Sequence, residues 1–442
     1  MPELTPEQQD VHDKAVDFYG TPGVNFLSLE GWAGVGKTFT IQRIIKTIQS
    51  RHPYAKIAMT APTHKAVKVT RNMAAEYGLT GVEFLTIYSC LGLILDKNHE
   101  LRHVKKAAEG SFSDMDLVIV DEASMLPRNA FAELEATAKA LNVPVMFMGD
   151  SYQLPPVNEP NSVAFSKSQV KLRLDKIMRQ EQGNPILELT ASLRDDINNH
   201  TSNTVVRSKI NKELDKGVYA LNGKAWVQSV ENNFVSDEYK EDPDLFRCIT
   251  WTNQRVDSLN RKIRKLLVGE TESPYIPGER LITRRPIAEG EDGDRVQLAY
   301  TDEECEVIDI VESSHPLYVN FSTQFKVWTI RLLTAREEVA EVHLLHRDSV
   351  SDYWSTLNTL KDRAKTDRGQ WRAAHNFEDS FADLQPPHAM TVHRSQGSTF
   401  RNVFVDLIDC YKNPDVLERN KLLYVACSRA SENLIALKRP IK

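Results

Sequence analysis

Residues 25–49 read NFLSLEGWAGVGKTFTIQRIIKTIQ, and this stretch decides the fold. A β-prone run, NFLSLE, leads into the octet GWAGVGKT (31–38), which satisfies G-x-x-x-x-G-K-[ST], and the residues after it read as a helix. A glycine turn between a strand and a helix aims backbone N–H groups at one point, and the helix N-terminus adds partial positive charge. Gly34, Val35 and Gly36 are therefore expected to cradle phosphates. Lys37 is expected to reach the β- and γ-phosphates of ATP, and the Thr38 hydroxyl to ligate Mg²⁺.

Phosphate binding alone is not hydrolysis, which needs an acidic element. DLVIVDEA (116–123) supplies one: four apolar residues end in Asp121 and Glu122 at the C-terminal end of a strand, where open α/β sheets place ligands. Asp121 is expected to hold Mg²⁺ and Glu122 to take a proton from the attacking water. A third segment, MFMGDSYQLPPV (146–157), also ends a strand in polar groups. There Asp150 and Gln153 are placed to sense the γ-phosphate or orient water, because an amide offers both donor and acceptor.

Working outward, short apolar runs alternate with helical stretches: NFLSLE, KIAMTAP (56–62), DLVIVDE and VPVMFMGD (143–150) in the first part, then FRCITWTN (246–253), NVFVDLID (402–409) and NLIAL (433–437). Fully apolar strands between helices predict parallel sheets covered on both faces, hence two α/β domains. Residues 276–384 differ in texture, with alternating strands that suggest a small antiparallel barrel and a helical rear half carrying Trp354 and Trp371. Residues 86–110 read as a β-hairpin turning about Lys97 and Asn98, and Glu231 to Asp244 as a solvated acidic connection.

Composition narrows the class. The 442 residues are 41% hydrophobic and 26% charged, a globular balance that argues against disordered and collagen-like chains. No run of about 18 apolar residues is present, and the polar, acidic start MPELTPEQQD lacks the pattern of a secretory signal, so a bacterial or phage-infected host cytoplasm is expected. The five cysteines are scattered without a C-x-x-C, which reads as reduced packing residues. A net charge of −6 opposes nucleic-acid binding through a global positive field but permits a few local contacts.

The ordered set GWAGVGKT, TAPTHKAV, VIVDEAS, GDSYQLPPV, LDKIMRQ, TVHRSQGSTF and LLYVACSRA closely resembles the superfamily 1 helicases, in their RecD/Dda-like 1B branch, and is most similar to compact phage Dda-type DNA helicases. The resemblance implies two RecA-like P-loop domains: 1A (1–85 and 111–173) and 2A (174–275 and 385–442). A pin (1B, 86–110) would be inserted in the first, and a small barrel with a helical extension (2B, 276–384) in the second. No fused nuclease domain is expected. By the same resemblance Gln8 reads adenine, and Arg179 and Arg429 offer charge to the γ-phosphate. Pro62, Thr63, His64, Thr86, Thr391 and His393 contact the strand, while Gln396 and Gly397 link that contact to the nucleotide. Lys97, Asn98 and His99 fall at the tip of the pin. Arg394 stands where a lysine is common, and Cys427-Ser428 where a small apolar residue and threonine are usual.

Strand binding needs phosphate contacts and stacking surfaces. The stretch TNQRVDSLNRKIRK carries Arg255, Arg261, Lys262, Arg264 and Lys265, and Thr252 and Asn253 at its start could hold a phosphate; a solvated helix face is the other reading. Trp354 and Trp371 could stack on bases, dock the hairpin or simply pack. The expected activity is an ATP-driven, 5′ to 3′ single-stranded DNA translocase and helicase. It would work as a monomer on single strands and on forked or tailed duplexes, with a single-strand-binding protein or replisome components as further partners and no membrane. An RNA helicase or RNP remodeller on the same core, and a nucleotide-switched binding module, are the alternatives.

Overall fold

The computed structural model describes residues 3–95, 101–103, 111–156, 159–176, 183–213, 215–289, 296–315, 324–367 and 370–438. The chain enters through α1 (Pro6–Tyr19), which a capping box starts: Thr5 Oγ1 accepts from the Gln8 N–H, and the Gln8 side-chain oxygen accepts from the Thr5 N–H. There follow β1 (Phe26–Gly31), α2 (Lys37–Arg51), β2 (Ile57–Ala61), α3 (His64–Glu76), β3 (Val82–Thr86) and α4 (Ile87–Cys90). A short antiparallel pair, β4 (Leu93–Leu95) and β5 (Leu101–His103), interrupts the alternation before β6 (Leu117–Val120), α5 (Arg128–Leu141), β7 (Val145–Gly149), α6 (Val163–Lys167) and β8 (Val170–Leu174).

These strands form a six-stranded parallel sheet in the order β3-β2-β6-β7-β1-β8. Alternate residues of one strand feed opposite cores. Leu27, Leu29, Met146 and Met148 pack against Ile41, Ile44, Ile45 and Ile48 of α2, whereas Phe26, Val145 and Phe147 pack against Phe131 and Leu134 of α5 and Phe165 of α6. A strand buried on both faces is apolar throughout, which is why β1, β2, β6 and β7 were readable in the sequence. The outer strands β3 and β8 are partly exposed, so VEFLT and VKLRL lack that signature.

The chain continues through α7 (Pro185–Asn199), β9 (Lys209–Asn211), β10 (Lys216–Leu221), α8 (Gly223–Phe234), α9 (Asp237–Glu241), β11 (Phe246–Thr250) and α10 (Asn253–Val268). Next come β12 (Arg280–Thr283), β13 (Ile287–Glu289), β14 (Val296–Ala299), β15 (Glu304–Ser314), β16 (Lys326–Thr334), β17 (Val339–Leu345), α11 (Val350–Thr366), α12 (Trp371–Asp379) and β18 (Leu384–Gln385). The remaining elements are β19 (Ala389–Thr391), β20 (Phe400–Asp406), α13 (Leu407–Cys410), α14 (Val416–Ser428) and β21 (Ala430–Leu437). A second sheet runs β19-β11-β20-β21-β10-β9, parallel at β11, β20, β21 and β10, with β9 antiparallel at its edge.

Two compact units result. One holds both sheets (Met1–Val230, Asp242–Thr252, Thr391–Lys442); the other holds Glu231–Glu241 and Asn253–Met390. In the second unit, strands β17-β16-β15-β12-β18 form an antiparallel sheet, and Ala382 N–H donates to His343 O, so the segment that pairs with β12 also reaches β17, as in a barrel. Helices α11 and α12 close over Phe325, Tyr353, Leu357 and Phe377. The acidic stretch from Glu231 corrects the sequence reading: most of it is the end of α8 and all of α9, anchored by buried Phe234 and Tyr239 with ring centroids 4.8 Å apart. No described helix is long and apolar enough to cross a membrane.

Buried Asp409 holds the end of β11. Its carboxylate accepts from the Thr250 hydroxyl (2.7 Å), the Trp251 and Thr252 N–H groups (3.1 and 2.7 Å) and the Lys412 ammonium (2.7 Å). Burial alone would raise the pKa of Asp409, but Lys412, Thr250 and Thr252 outweigh it and hold the carboxyl below the usual range. A depressed folded pKa adds stability that is present above the unfolded value and is lost as pH falls through the folded one. Asp409→Ala is expected to destabilise by roughly 3 kcal/mol at neutral pH, with the deficit shrinking on acidification. Denaturant melts at pH 7 and pH 3 check both the size and the sign.

Candidate nucleotide site and nucleic-acid interface

The turn after β1 takes left-handed backbone at Gly34 and Gly36, with φ of +84° and +81°. A side chain there would be strained, so glycine is what allows the N–H groups to face inward. Lys37 opens α2, and its ammonium donates to the carbonyls of Gly31 (2.6 Å) and Trp32 (3.1 Å). Val35 is buried, and its carbonyl accepts from the Gln8 side-chain amide at 3.3 Å, which ties the start of α1 to the phosphate turn. Thr38 follows on the first turn of α2, half-buried.

Asp121 and Glu122 stand at the end of β6. Asp121 accepts from the Thr70 hydroxyl (2.9 Å) and the Glu122 N–H (2.8 Å), whereas Glu122 Oε2 is buried without a hydrogen-bond partner among the described residues. Glu122 also takes left-handed backbone, φ +48°, a strained conformation of the kind that gathers at functional sites. Burial and the adjacent Asp121 push the Glu122 carboxyl up to about 7, against the pull of Arg429 and Lys37. Burial raises Asp121 too, but its two donors favour its charged form, so a proton shared by the pair rests on Glu122. One carboxylate and one hydroxyl, Asp121 and Thr38, suit Mg²⁺, which keeps waters and phosphate oxygens in its shell.

The second sheet contributes directly to this place. Buried Arg429, at the end of α14, is oriented by the Val425 carbonyl (3.2 Å), the Ser398 carbonyl (3.1 Å) and the Ser428 hydroxyl (2.9 Å). Ser428, a departure from the usual threonine, thus retains a hydroxyl that aims the guanidinium. Gly397 has φ +69°, and a Cβ built on it would lie 3.5 Å from Ala66 and 3.8 Å from Glu122 Cγ. Gln396 donates to the Leu154 carbonyl at 3.1 Å, reaching the segment that carries Gln153, whose Oε1 is buried without a partner. Buried Asp150 accepts from the Tyr424 hydroxyl of α14 and from the Tyr152 N–H (3.0 Å).

Sequence reasoning missed Arg194 of α7. Its guanidinium lies 4.0 Å from the Trp32 ring centroid in the phosphate turn and donates to the Tyr424 hydroxyl. Leu187 of the same helix lies beside Gly34, 3.6 Å from where a Cβ would be. The signal available was Trp32 itself, a large aromatic inside the glycine turn.

Four candidate strand-contacting threonines use their hydroxyls locally, in two ways. Thr63 and Thr391 accept, from Ala66 N–H (3.2 Å) and Arg394 N–H (3.3 Å), and each retains its hydroxyl proton. Thr86 likewise accepts from Ser89 N–H (3.1 Å). Thr252 instead donates to Asp409, so its hydroxyl serves the fold, a correction to the expectation that it holds a phosphate. Pro62 is buried, His64 follows Thr63 at the start of α3, and burial lowers the pKa of His393, keeping it neutral.

Asn253 opens α10, whose basic residues are largely matched. Lys262 pairs with Glu231, Arg264 with Glu279 and Lys265 with Glu270, and Arg261 bonds the Asp257 carbonyl. The expected basic cluster is therefore mostly a neutralised helix face. Trp354 and Trp371 are exposed at 54% and 37%. The tip residues Lys97, Asn98 and His99, and Arg179, lie outside the described residues.

Residues 3–212 match a family described as an AAA domain, and residues 387–437 match the UvrD-like helicase C-terminal domain. An uncharacterized protein of Acanthamoeba polyphaga mimivirus is 26% identical over 97% of this chain and 98% of its own. The ATP-dependent DNA helicase PIF1 of Trypanosoma brucei brucei is 28% identical over 43% of this chain, a match that spans only 19% of that helicase. In fold, the chain is similar to a Bacteroides Pif1 helicase solved with ADP-AlF3 and single-stranded DNA, with a TM-score of 0.51 and 15% identity over 99% of this chain and 92% of that one. These relatives bring forward the Pif1 type rather than the Dda type that the motifs resemble. Two parallel sheets meeting at a phosphate turn, the order of the motifs and these matches together support a superfamily 1B helicase of the Pif1/RecD-like group.

Proposed function

We propose that the protein is an ATP-driven translocase on single-stranded DNA that unwinds forked or tailed duplexes, moving 5′ to 3′. The observation that carries this reading is the approach of Arg429 and Gly397, from the second sheet, to Glu122 at the end of the first. Glu122 accepts the proton of the water that attacks the γ-phosphorus, the bond to the bridging oxygen of ADP breaks, and inorganic phosphate separates. Lys37 and Arg429 face the charge that develops, and Gln153 orients the water. Mg²⁺, held by Thr38 and Asp121, would neutralise phosphate charge when bound. Because Arg429 comes from the other sheet, hydrolysis is tied to the approach of the two sheets and product release to their separation. Thr63 and Thr391, one associated with each sheet, are matched grips for strand phosphates whose spacing such a cycle would change.

A duplex with a 5′ single-stranded tail is expected to be unwound in the presence of ATP, and one with a 3′ tail to be left intact. The reverse preference would overturn the polarity, and a stronger ATPase response to RNA than to matched DNA would favour the RNA reading. Deleting residues 95–102 is expected to abolish unwinding while sparing DNA-stimulated ATPase; loss of both would refute the pin.

Glu122 must be unprotonated to accept a proton, so kcat is expected to rise with pH through about 7. Arg429→Ala removes a cation that lowers the Glu122 pKa. The acidic limb is then expected to move to higher pH, with kcat down roughly a thousandfold. A fall in kcat with an unmoved limb would show that Arg429 does not face Glu122.

Arg194 acts as a positioning residue, since it touches the turn through Trp32 and Asp150 through Tyr424. Arg194→Ala is expected to raise the KM for ATP by about tenfold, the scale of a buried cation–π contact, and to abolish the nucleotide-dependent change in Trp32 fluorescence. Arg194→Lys should restore part of both. An unchanged KM in the alanine variant would refute the role.

A further inference from the structure

Beside the acidic strand of the first sheet lies a cavity of about 230 Å³, lined in part by Glu30, Ser124, Gln153, Ser162, Phe165 and Lys421. It is smaller than the roughly 300 Å³ at which sites for drug-sized molecules begin, so its occupant is small.

Lys421 of α14 sets its chemistry. The side chain is 7% exposed and makes no ion pair or hydrogen bond among the described residues, and burial lowers its pKa with no carboxylate offsetting the loss. An ammonium taken out of water without a counter-ion is costly, and a protein retains one where an anion comes to meet it. Ser124 is 1% exposed and Gln153 7% exposed, and Ser124 Oγ and Gln153 Oε1 are both buried without a partner among the described residues. Ser162 holds the wall in place by donating to the Ala123 carbonyl at 3.1 Å.

The cavity therefore presents a cation, a free hydroxyl and an unmet amide oxygen. A hydrogen phosphate ion satisfies all three, because it accepts through its oxygens and donates through its remaining O–H. Glu30 is the acid in the lining and favours a protonated oxyanion over a fully ionised one. Ser124 stands two residues beyond Glu122, and Gln153 is the amide assigned to the hydrolytic water, so the cavity adjoins the place where hydrolysis releases its product.

We infer that this cavity binds inorganic phosphate and is the first station of the product phosphate as it leaves the nucleotide site, with Lys421 as its cationic wall. The inference rests on the proposed ATPase activity. A phosphate of the DNA backbone shares the chemistry of the free ion, and the two are separable.

With ADP and beryllium fluoride filling the phosphate turn and the γ-phosphate position, inorganic phosphate is titrated calorimetrically into the 442-residue protein and its variants. The wild type is expected to bind phosphate, Lys421→Gln to bind it at least about tenfold more weakly, and Lys421→Arg to stay close to the wild type. Ser124→Ala, which leaves the cation in place, is expected to weaken binding by a smaller factor and serves if Lys421→Gln does not fold. No phosphate binding by the wild type, or equal binding by wild type and Lys421→Gln, overturns the inference. So does a Lys421→Gln variant that loses affinity for an oligothymidine strand while still binding phosphate, since the wall then belongs to the DNA backbone. Wild-type protein that binds phosphate in this cavity but fails to hydrolyse ATP overturns the functional reading and leaves the site standing.

Discussion

Two adjacent carboxylates at the end of one covered strand, Asp121 and Glu122, set the constraint on which the rest of the site depends. Side by side and enclosed, they do not both ionise without help. Asp121 has the Thr70 hydroxyl and a backbone N–H, while Glu122 has an orphan oxygen and only the more distant Lys37 and Arg429 to favour its charge. One of those cations comes from the phosphate turn and the other from the second sheet. The protonation of Glu122 is thus tied to the arrangement of both.

The same dependence explains why so many polar contacts run between the two sheets at this place. Tyr424 donates to Asp150, Gln396 to the Leu154 carbonyl, and Arg194 lies over Trp32 while donating to Tyr424. Each joins a residue at the phosphate turn or at the end of β7 to an element of the second sheet, and Gly397 is small enough to let its backbone come beside Glu122. Rearranging the two sheets would therefore disturb the orientation of the groups around the phosphate turn and Glu122 directly, the coupling that the proposed stepping motor requires.

Charge is handled sparingly. The cations of α10 are mostly spent on Glu231, Glu279 and Glu270 within their own unit, in keeping with a chain of net charge −6. Under the proposed function, strand contacts would then fall to hydroxyls at the starts of turns and helices, such as those of Thr63 and Thr391, which can meet a phosphate without holding it by full charge. Weak grips of this kind suit a protein that releases its track at every step.

The glycine turn, the strands β1, β2, β6 and β7, and the candidates Lys37, Asp121 and Glu122 were legible because each rests on local chemistry: φ that only glycine takes easily, apolar runs covered on both faces, and charged residues in the turn or at a strand end; Arg429, at the end of α14, was pointed to only by the resemblance of the motifs. The half-exposed strands β3 and β8, and the helices within Glu231–Asp244, were not, because their pattern depends on what lies over them. By itself the sequence determined which groups could bind phosphate and take a proton. Tertiary structure alone decided that Thr252 serves Asp409, that the cations of α10 are matched, and that Arg194 reaches Trp32. It also decided that Lys421 is left without a partner among the described residues. These are pairings between residues far apart in the chain, and hydrogen-bond and ion-pair energies fall away within a few ångströms, a distance that sequence separation does not encode.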